Sequence, residues 1–188
     1  MAINLFIDTT YVIKTNTIDE SVDSKFIEPS IEIAQELYIK ELLGTALYDQ
    51  LETQIEGSTV TPANETLLRD YIAPCLSKYV YYLALPKLMY KVENISVVKR
   101  KTDTADEIDF KELNFIRQIA KDEAEFFGTK LSRFLCANSS TYPLYNSPGN
   151  TSDTVHPKRD DSYTTSIYLG KNSSWSKLKY EDGRRFYK

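Results

Sequence analysis

Apolar residues between positions 26 and 51 recur every three or four positions, a spacing that predicts two consecutive amphipathic helices. The face of the first helix is made by Ile27, Ile31, Ala34, Tyr38 and Leu42. Gly44 is expected to end this helix, because glycine adopts the left-handed conformation of a helix C-terminus at the lowest cost. The same pattern places Pro29 in the first turn of the first helix and makes Thr45 the N-cap of the second.

A third helix is predicted to start at Thr61 and Pro62, an N-cap residue followed by proline at the first helical position. So many positions of this helix are apolar that most of its circumference must be covered by other parts of the protein. The apolar positions are Leu67, Leu68, Tyr71, Ile72, Cys75, Leu76, Tyr79, Val80, Leu83 and Leu88. Pro74 and Pro86 fall inside the pattern, so bends or breaks are expected at both. Residues 79–85 alone also fit a buried strand, but the helical period on both sides favours a helix.

The helical pattern stops between Asn94 and Asp109, where a projecting loop or hairpin is expected, with a short strand candidate at residues 95–98. A fourth helix follows, about 39 Å long at 1.5 Å per residue. Its apolar positions are Phe110, Leu113, Ile116, Ala120, Ala124, Phe127, Leu131 and Leu135. Asp106 or Asp109 is expected to cap it.

These patterns predict an all-α protein in three parts. Residues 1–23 alternate short apolar and polar stretches and are expected to form an extended arm. Residues 24–138 form a mainly four-helix body. Residues 139–188, rich in Ser, Thr, Asn, Pro and Tyr, are expected to be a long arm with little helix and a possible short hairpin near residues 163–169.

Aromatic residues are unusually frequent, with 14 tyrosines, and tyrosine is enriched at protein interfaces. We therefore expect the C-terminal arm to be ordered by lying on other subunits, with a flexible tail as the alternative. The candidate interface residues are Phe6, Tyr11, Tyr142, Tyr145, Tyr163, Ile167, Tyr168, Trp175, Phe186 and Tyr187.

The net charge of −4 is unevenly spread, because the tail is mildly basic and the body acidic. Lys99, Arg100 and Lys101 form a basic run on the predicted loop and are candidates for contact with DNA. A solvated loop, neutralised by the acidic residues that follow, is the more ordinary interpretation.

Residues with catalytic or metal-binding chemistry are sparse. The single histidine, His156, lies near Asp153 and Asp160 without the turn that presents a nucleophile, so a solvated tail histidine is favoured over a hydrolase triad. The six glycines are not clustered, which excludes a P-loop or dinucleotide fingerprint. The acidic group Asp103, Asp106, Glu107 and Asp109 lacks the spacing of a calcium loop, so helix capping explains it better than a cation site.

Cys75 and Cys136 lie far apart within apolar patterns and are expected to be core residues in a reducing compartment. The N-terminus lacks the pattern of a signal peptide, and the longest apolar run is far below the roughly 20 residues that span a bilayer. We therefore expect a protein made in the cytoplasm, without a membrane partner, enzymatic activity, cofactor or metal.

One ordered series of packing residues resembles a known family. It comprises Phe26-Ile27, Ala34, Tyr38-Ile39, Leu43-Gly44, Leu47-Tyr48-Asp49, Leu51, Tyr71-Ile72-Ala73-Pro74 and Ala84-Leu85-Pro86. The series resembles the head-to-tail connector (adaptor, or ring) proteins of tailed bacteriophages, most closely those of crAss-like and other Bacteroidetes phages. The resemblance covers residues 24–134.

The resemblance implies a structural, non-enzymatic virion protein, made in the host bacterial cytoplasm and located in the capsid–tail neck. Such proteins form a closed ring, typically of twelve copies, beneath the portal and extend the channel for DNA. The implied partners are other copies, the portal protein, further neck or tail proteins, and DNA that passes through without sequence-specific binding. The alternatives are a DNA-binding or packaging accessory protein that uses residues 99–101 and the basic tail, or a small hydrolase that uses His156.

Overall fold

The structure is a computed structural model that describes residues 4–92, 97–99, 109–147, 149 and 154–157. Helices dominate these residues, which confirms the all-α prediction. The helices are α1 (Thr9–Thr15), α2 (Glu28–Ala34), α3 (Lys40–Leu43), α4 (Thr45–Glu56), α5 (Pro62–Leu67), α6 (Ala73–Met89), α7 (Phe110–Ala137) and α8 (Pro143–Asn146), with a 3-10 turn at Ser24–Phe26. One π turn, Gln35–Ile39, joins α2 to α3, and a second, Leu68–Ile72, joins α5 to α6. Four long helical segments therefore make the body, as predicted.

The second π turn ends shortly before Pro74, where an interruption was predicted. Proline lacks the amide hydrogen of a helical bond, and its ring collides with the carbonyl four residues earlier. The wider turn replaces the regular pattern here, since the N–H of Ala73 donates to the carbonyl of Leu68, five residues back. Helix α6 does not break at Pro86 but continues to Met89, and residues 79–85 are helical rather than a strand.

The helix ends depend mainly on local residues. Gly44 ends the first segment at φ +77°, and Thr61 caps α5 by accepting from the N–H of Asn64 at 3.3 Å. The prediction that Thr45 caps α4 is wrong, because its hydroxyl accepts instead from the N–H of Val155 at 2.8 Å. The N–H of Thr45 donates to the carbonyl of Val155 at 3.1 Å, so residues 154–157 lie against this corner.

The N-terminal segment is not an extended arm throughout, because residues 9–15 form α1. Asp8 caps this helix, accepting from the N–H of Tyr11 at 2.7 Å, and Val12 is fully buried. Helix α1 packs against α6, and the side-chain amide of Asn16 donates to the hydroxyl of Ser77 at 2.8 Å. Residues 9–15 are helical because they are buried against α6, and the short alternating pattern of the sequence did not predict this helix.

The core lies between α6, the 28–43 segment and α7, and the most extensive contact in the described chain joins α6 to α7. Cys75 lies inside it, and burial raises the pKa of its thiol to about 12. Residues of the predicted C-terminal arm also contribute, since Tyr142 and Tyr145 belong to the same apolar cluster. The arm therefore does not begin at residue 139; residues 139–147, which include α8, lie on the body.

A hairpin follows α6, as one of the two predicted alternatives, but it begins at Tyr90 rather than after Asn94. Strands β1 (Tyr90–Val92) and β2 (Val97–Lys99) pair antiparallel, with Tyr90 opposite Lys99. The strand lies slightly later than the candidate at residues 95–98. The acidic residues 103, 106 and 107 lie outside the described residues, whereas Asp109 caps α7 as predicted.

Candidate subunit interface

Helix α7 carries apolar side chains on two opposite faces. The inner face is buried and consists of Leu113, Ala120, Ala124, Leu131 and Leu135, with Gly128 among them. A Cβ atom added at Gly128 would lie 3.2 Å from the Tyr79 hydroxyl and 3.4 Å from Cδ1 of Leu42. Small residues on this face thus allow the neighbouring helices to approach closely.

The second face, which we call the outer stripe, consists of Phe115, Ile119 and Phe126. Spacings of four and seven residues place these side chains on one side of the helix, roughly opposite the inner face at 100° per residue. Their exposed fractions are 68%, 45% and 66%. The stripe spans about 17 Å along the helix axis. Asp122 lies on the same side between Ile119 and Phe126 and is also exposed, so the stripe is interrupted by one charged residue. Three large exposed apolar side chains on one side of a helix still make the stripe a candidate contact surface.

The start of α7 sets the rotational position of the stripe. Asp109 and Glu112 form a reciprocal capping box, in which the N–H of Asp109 donates to Oε2 of Glu112 at 3.0 Å. The side chain of Asp109 also accepts from the N–H of Phe110 at 2.7 Å. Phe110 was predicted to lie on the core face, but it is exposed, whereas Leu113 of the same turn is buried.

A second exposed apolar pair, which we call the edge patch, lies on the 28–43 segment. It consists of Ile33 and Leu37, which are 42% and 56% exposed. Ile31, Ala34 and Ile39 of the same segment are fully buried, so this segment also has an inner and an outer face. The chain therefore presents two apolar surfaces on two different helical segments.

A buried glutamine holds the N-terminal residues on the body. Oε1 of Gln35 accepts from the N–H of Phe6 at 2.9 Å, and its Nε2 donates to the carbonyl of Asn4 at 2.9 Å and to the Tyr48 hydroxyl at 3.0 Å. The Tyr48 hydroxyl donates to Oε1 of Glu36 at 3.0 Å. Burial raises the pKa of Tyr48 and thus favours the neutral phenol that this network needs.

Two residues that were predicted to contact a partner, Tyr142 and Tyr145, are instead buried in the core of their own chain. Tyr142 is 4% exposed and donates from its hydroxyl to the carbonyl of Ala63 at 2.8 Å, and Tyr145 is 0% exposed. Phe6 and Tyr11 are partly buried against the same core, and the Phe6 ring lies 5.3 Å from that of Tyr48. Their role in a subunit contact stays a prediction.

The other predicted contact residues fall largely outside the described part of the chain. Those residues are Tyr163, Ile167, Tyr168, Trp175, Phe186, Tyr187, Arg100 and Lys101. The backbone of Lys99 lies at the end of β2. His156 is exposed beside the docked Val155, and Asp153 and Asp160 lie outside the described residues.

Sequence reasoning missed the outer stripe, although a signal for it was present. Once the core positions of α7 are assigned, Phe115, Ile119 and Phe126 remain as apolar residues with their own helical spacing. A second apolar period on a helix whose first period is already assigned to the core indicates a second contact surface.

Comparison with known proteins finds one family. The model of a family of unknown function (DUF6712) matches residues 39–155, which is more than half of the chain and includes the C-terminal residues docked at Thr45. No curated protein and no solved structure matches the chain. Among the helices of the described residues, none is both long enough and apolar enough to cross a membrane.

Proposed function

The chain belongs to the family of unknown function DUF6712, and we propose that it is a structural virion protein that forms a closed ring beneath the portal. In this role it joins the capsid to the tail and extends the channel through which DNA passes. Its partners are other copies of itself, the portal protein and further neck or tail proteins of the virion. DNA passes through the ring without sequence-specific binding.

The outer stripe of α7 carries the proposal. Phe115 and Phe126 hold most of their rings in solvent on a helix whose opposite face is already buried. Burying apolar surface stabilises a contact by about 25 cal/mol per Å², and aromatic side chains dominate the energetics of protein interfaces. A helix with a buried inner face and an apolar outer face is suited to lie between the core of its own chain and a neighbouring subunit.

The edge patch supports a ring rather than a pair of subunits. Ile33 and Leu37 lie on a different segment from the stripe, so one copy has two different surfaces to offer. A contact between two different surfaces repeats from copy to copy and closes when the rotation between neighbours divides the circle. The ordered residue series that resembles phage connectors supports the same architecture.

Assembly of the full-length protein tests the proposal. Native mass spectrometry and negative-stain imaging at increasing protein concentration, alone and with purified portal assemblies, are expected to show closed rings with a central channel. A chain that stays monomeric at every concentration and does not join the portal would contradict the proposal.

Duplex DNA binding distinguishes the runner-up, a DNA-binding or packaging accessory protein. The feature that motivates that function is the basic run of residues 99–101, whose first residue, Lys99, ends β2. A protein that neutralises phosphates loses affinity steeply as salt rises. A ring subunit is expected to show little duplex affinity in moderate salt, whereas a steep salt dependence of strong binding favours the accessory protein.

A further inference from the structure

We propose that residues 4–16, which we call the strap, open as a unit from a body that stays folded, with Gln35 as their latch. The inference goes beyond the proposed ring and does not require it, because it concerns the single chain. Its basis is the polar character of the contact between the strap and the body. Opening frees Phe6 and Tyr11, two aromatic side chains that are partly buried against the core while the strap is closed.

Few side chains of the strap enter the core. Ile7 and Val12 are buried, at 7% and 0% exposure, and the other strap residues are partly or fully exposed. Helix α6, on which the strap lies, buries seven residues from Ala73 to Ala84. Because hydrophobic stabilisation grows with the apolar area removed from water, burial holds the strap far less strongly than it holds α6.

A fully buried glutamine latches the start of the strap. Oε1 of Gln35 accepts from the N–H of Phe6 and its Nε2 donates to the carbonyl of Asn4, each at 2.9 Å. Nε2 also donates to the Tyr48 hydroxyl at 3.0 Å. A buried amide must keep such partners, since an unpaired one costs free energy. When the strap opens, water reaches this amide and replaces the two backbone groups.

A second polar contact fastens the other end of the strap. Ser77 of α6 is fully buried, and its hydroxyl shares a hydrogen bond with the hydroxyl of Thr15. The side-chain amide of Asn16 donates to the same Ser77 oxygen at 2.8 Å. Water can replace the hydrogen bonds at both ends of the strap. Opening therefore costs less free energy than parting an apolar contact of the same size.

The side chain of Asn16 carries a local cost while the strap is closed. Its Nδ2 donates to the carbonyl of Val12 at 3.0 Å and to that of Ser77 at 3.3 Å, which fixes the orientation of the amide because carbonyl oxygens only accept. Oδ1 of Asn16 is buried and accepts from no group in the described part of the chain. A buried acceptor without a donor is unfavourable, and opening exposes this oxygen to water.

The connection that follows the strap stays on the body. Residues 17–23 contain no regular helix or strand. The Thr17 hydroxyl shares a hydrogen bond with that of Tyr81 at 3.1 Å, and Ile18 and Val22 are partly buried against the core. These contacts hold the chain on the body side separately, so opening is confined to the strap.

Hydrogen exchange of the full-length wild type, at a concentration where it is monomeric, tests the inference. The amides from Val12 to Thr15 in α1 are expected to be at least about 100-fold less protected than those from Leu76 to Val80 in α6, because they exchange by local opening. Low concentrations of urea should accelerate exchange in α6 but hardly change it in α1, since local opening exposes little surface. This comparison needs no variant to fold.

Two variants separate the strap from the body. Leu131 is fully buried in α7, and Leu131→Ala destabilises the body equally with the strap open or closed. It is expected to lower protection in α6 at least about 30-fold and protection in the strap by no more than about twofold. Gln35→Met removes the latch from the closed state, from which all exchange starts, so it is expected to lower protection in both by the same factor of about ten.

Gln54→Met is the matched control for the latch variant. Oε1 of Gln54 accepts from the side chain of Asn64 at 2.7 Å within the body, so the same substitution there is expected to leave strap protection unchanged. Circular dichroism confirms that each variant is folded. If Gln35→Met does not fold, the urea series and Leu131→Ala still decide whether the strap opens separately.

Three results would overturn the inference. Equal protection of strap and α6 in the wild type, or an equal loss in both on Leu131→Ala, would show that the strap opens only when the whole chain unfolds. Strap amides that exchange as fast as those of an unfolded peptide would show that the strap is not held on the body. Unchanged strap protection in Gln35→Met would show that Gln35 is not the latch. None of these results depends on assembly, so the proposed ring stands or fails separately.

Discussion

The two faces of α7 differ in side-chain size as well as in burial. The inner face combines leucines with Ala120, Ala124 and Gly128, whereas the outer stripe has two phenylalanines and an isoleucine. Small residues on the inner face let α6 and α3 approach until the Tyr79 hydroxyl and Leu42 fill the space over Gly128. The large residues of the stripe remain exposed, although the Phe126 ring meets the Phe127 ring edge-on, with 5.6 Å between the ring centroids. One face of α7 thus serves folding, and the other is the face that the proposed ring would use for assembly.

The largest expected effect comes from a cavity in the inner face of α7, which tests whether the two faces contribute differently to stability. Leu131 is fully buried, so Leu131→Ala is expected to lower the free energy of unfolding by about 2–5 kcal/mol. Phe126→Ala, on the outer stripe, is the matched control and is expected to change it by no more than about 0.5 kcal/mol. Urea unfolding followed by circular dichroism measures both, at a concentration where the chain is monomeric, since association adds stability. Equal losses would show that the two faces are not functionally distinct.

The corner at Gly44 tests whether the C-terminal residues belong to the folding part of the molecule. Gly44 has φ +77°, and a Cβ atom there would lie 2.8 Å from Cδ of Pro157. Gly44→Ala is expected to destabilise the chain by roughly 1–3 kcal/mol through backbone strain, in addition to displacing residues 154–157. Gly57→Ala is the control, because Gly57 has an ordinary helical φ of −78°. Proteolysis near residue 155 should become faster in the Gly44 variant alone.

The Tyr48 network gives a smaller effect that depends on pH. Removing its hydroxyl with Tyr48→Phe is expected to cost about 1 kcal/mol at neutral pH, since Gln35 and Glu36 lose a partner. Burial raises the pKa of Tyr48 in the folded chain above the unfolded value of about 10. The protonated Tyr48 phenol therefore makes its full contribution to the free energy of unfolding below about pH 10, and this contribution is lost as the pH rises above that value.

Unfolding free energies measured across this range should fall less steeply for the Tyr48→Phe variant than for the wild type. The slope does not vanish, because burial also raises the pKa of Tyr79. A decline of identical steepness in both proteins would show that Tyr48 ionises as readily folded as unfolded.

Salt is expected to have the smallest effect. The ion pairs of the described surface, such as Lys40 with Glu36 at 2.9 Å and Lys78 with Glu123 at 3.0 Å, are partly exposed. Each such pair contributes less than about 1 kcal/mol and is screened by ions. Raising the sodium chloride concentration should therefore change the urea midpoint of the monomer little, and a large fall in the midpoint would show that these pairs contribute substantially to the folded state.

Much of the helical body was predictable because its signals are local. Thr61 with Pro62, Gly44 and Asp109 mark helix ends through bonds or dihedral angles within one turn. The π turn before Pro74 was predicted only as an interruption, since its form depends on how the flanking helices pack. For the candidate site, the helical spacing of the stripe could be predicted from the sequence, but its exposure to solvent could not.

The sequence by itself determined the helical class, the four long segments of the body and most of their ends, because these depend on side chains one or two turns apart. Only the tertiary structure decided that α1, Tyr142 and Tyr145 belong to the core, that Thr45 binds Val155, and that the outer stripe is left exposed. Each of these outcomes depends on contacts between residues distant along the chain. Local periodicity shows which residues share a face, whereas burial shows what that face meets.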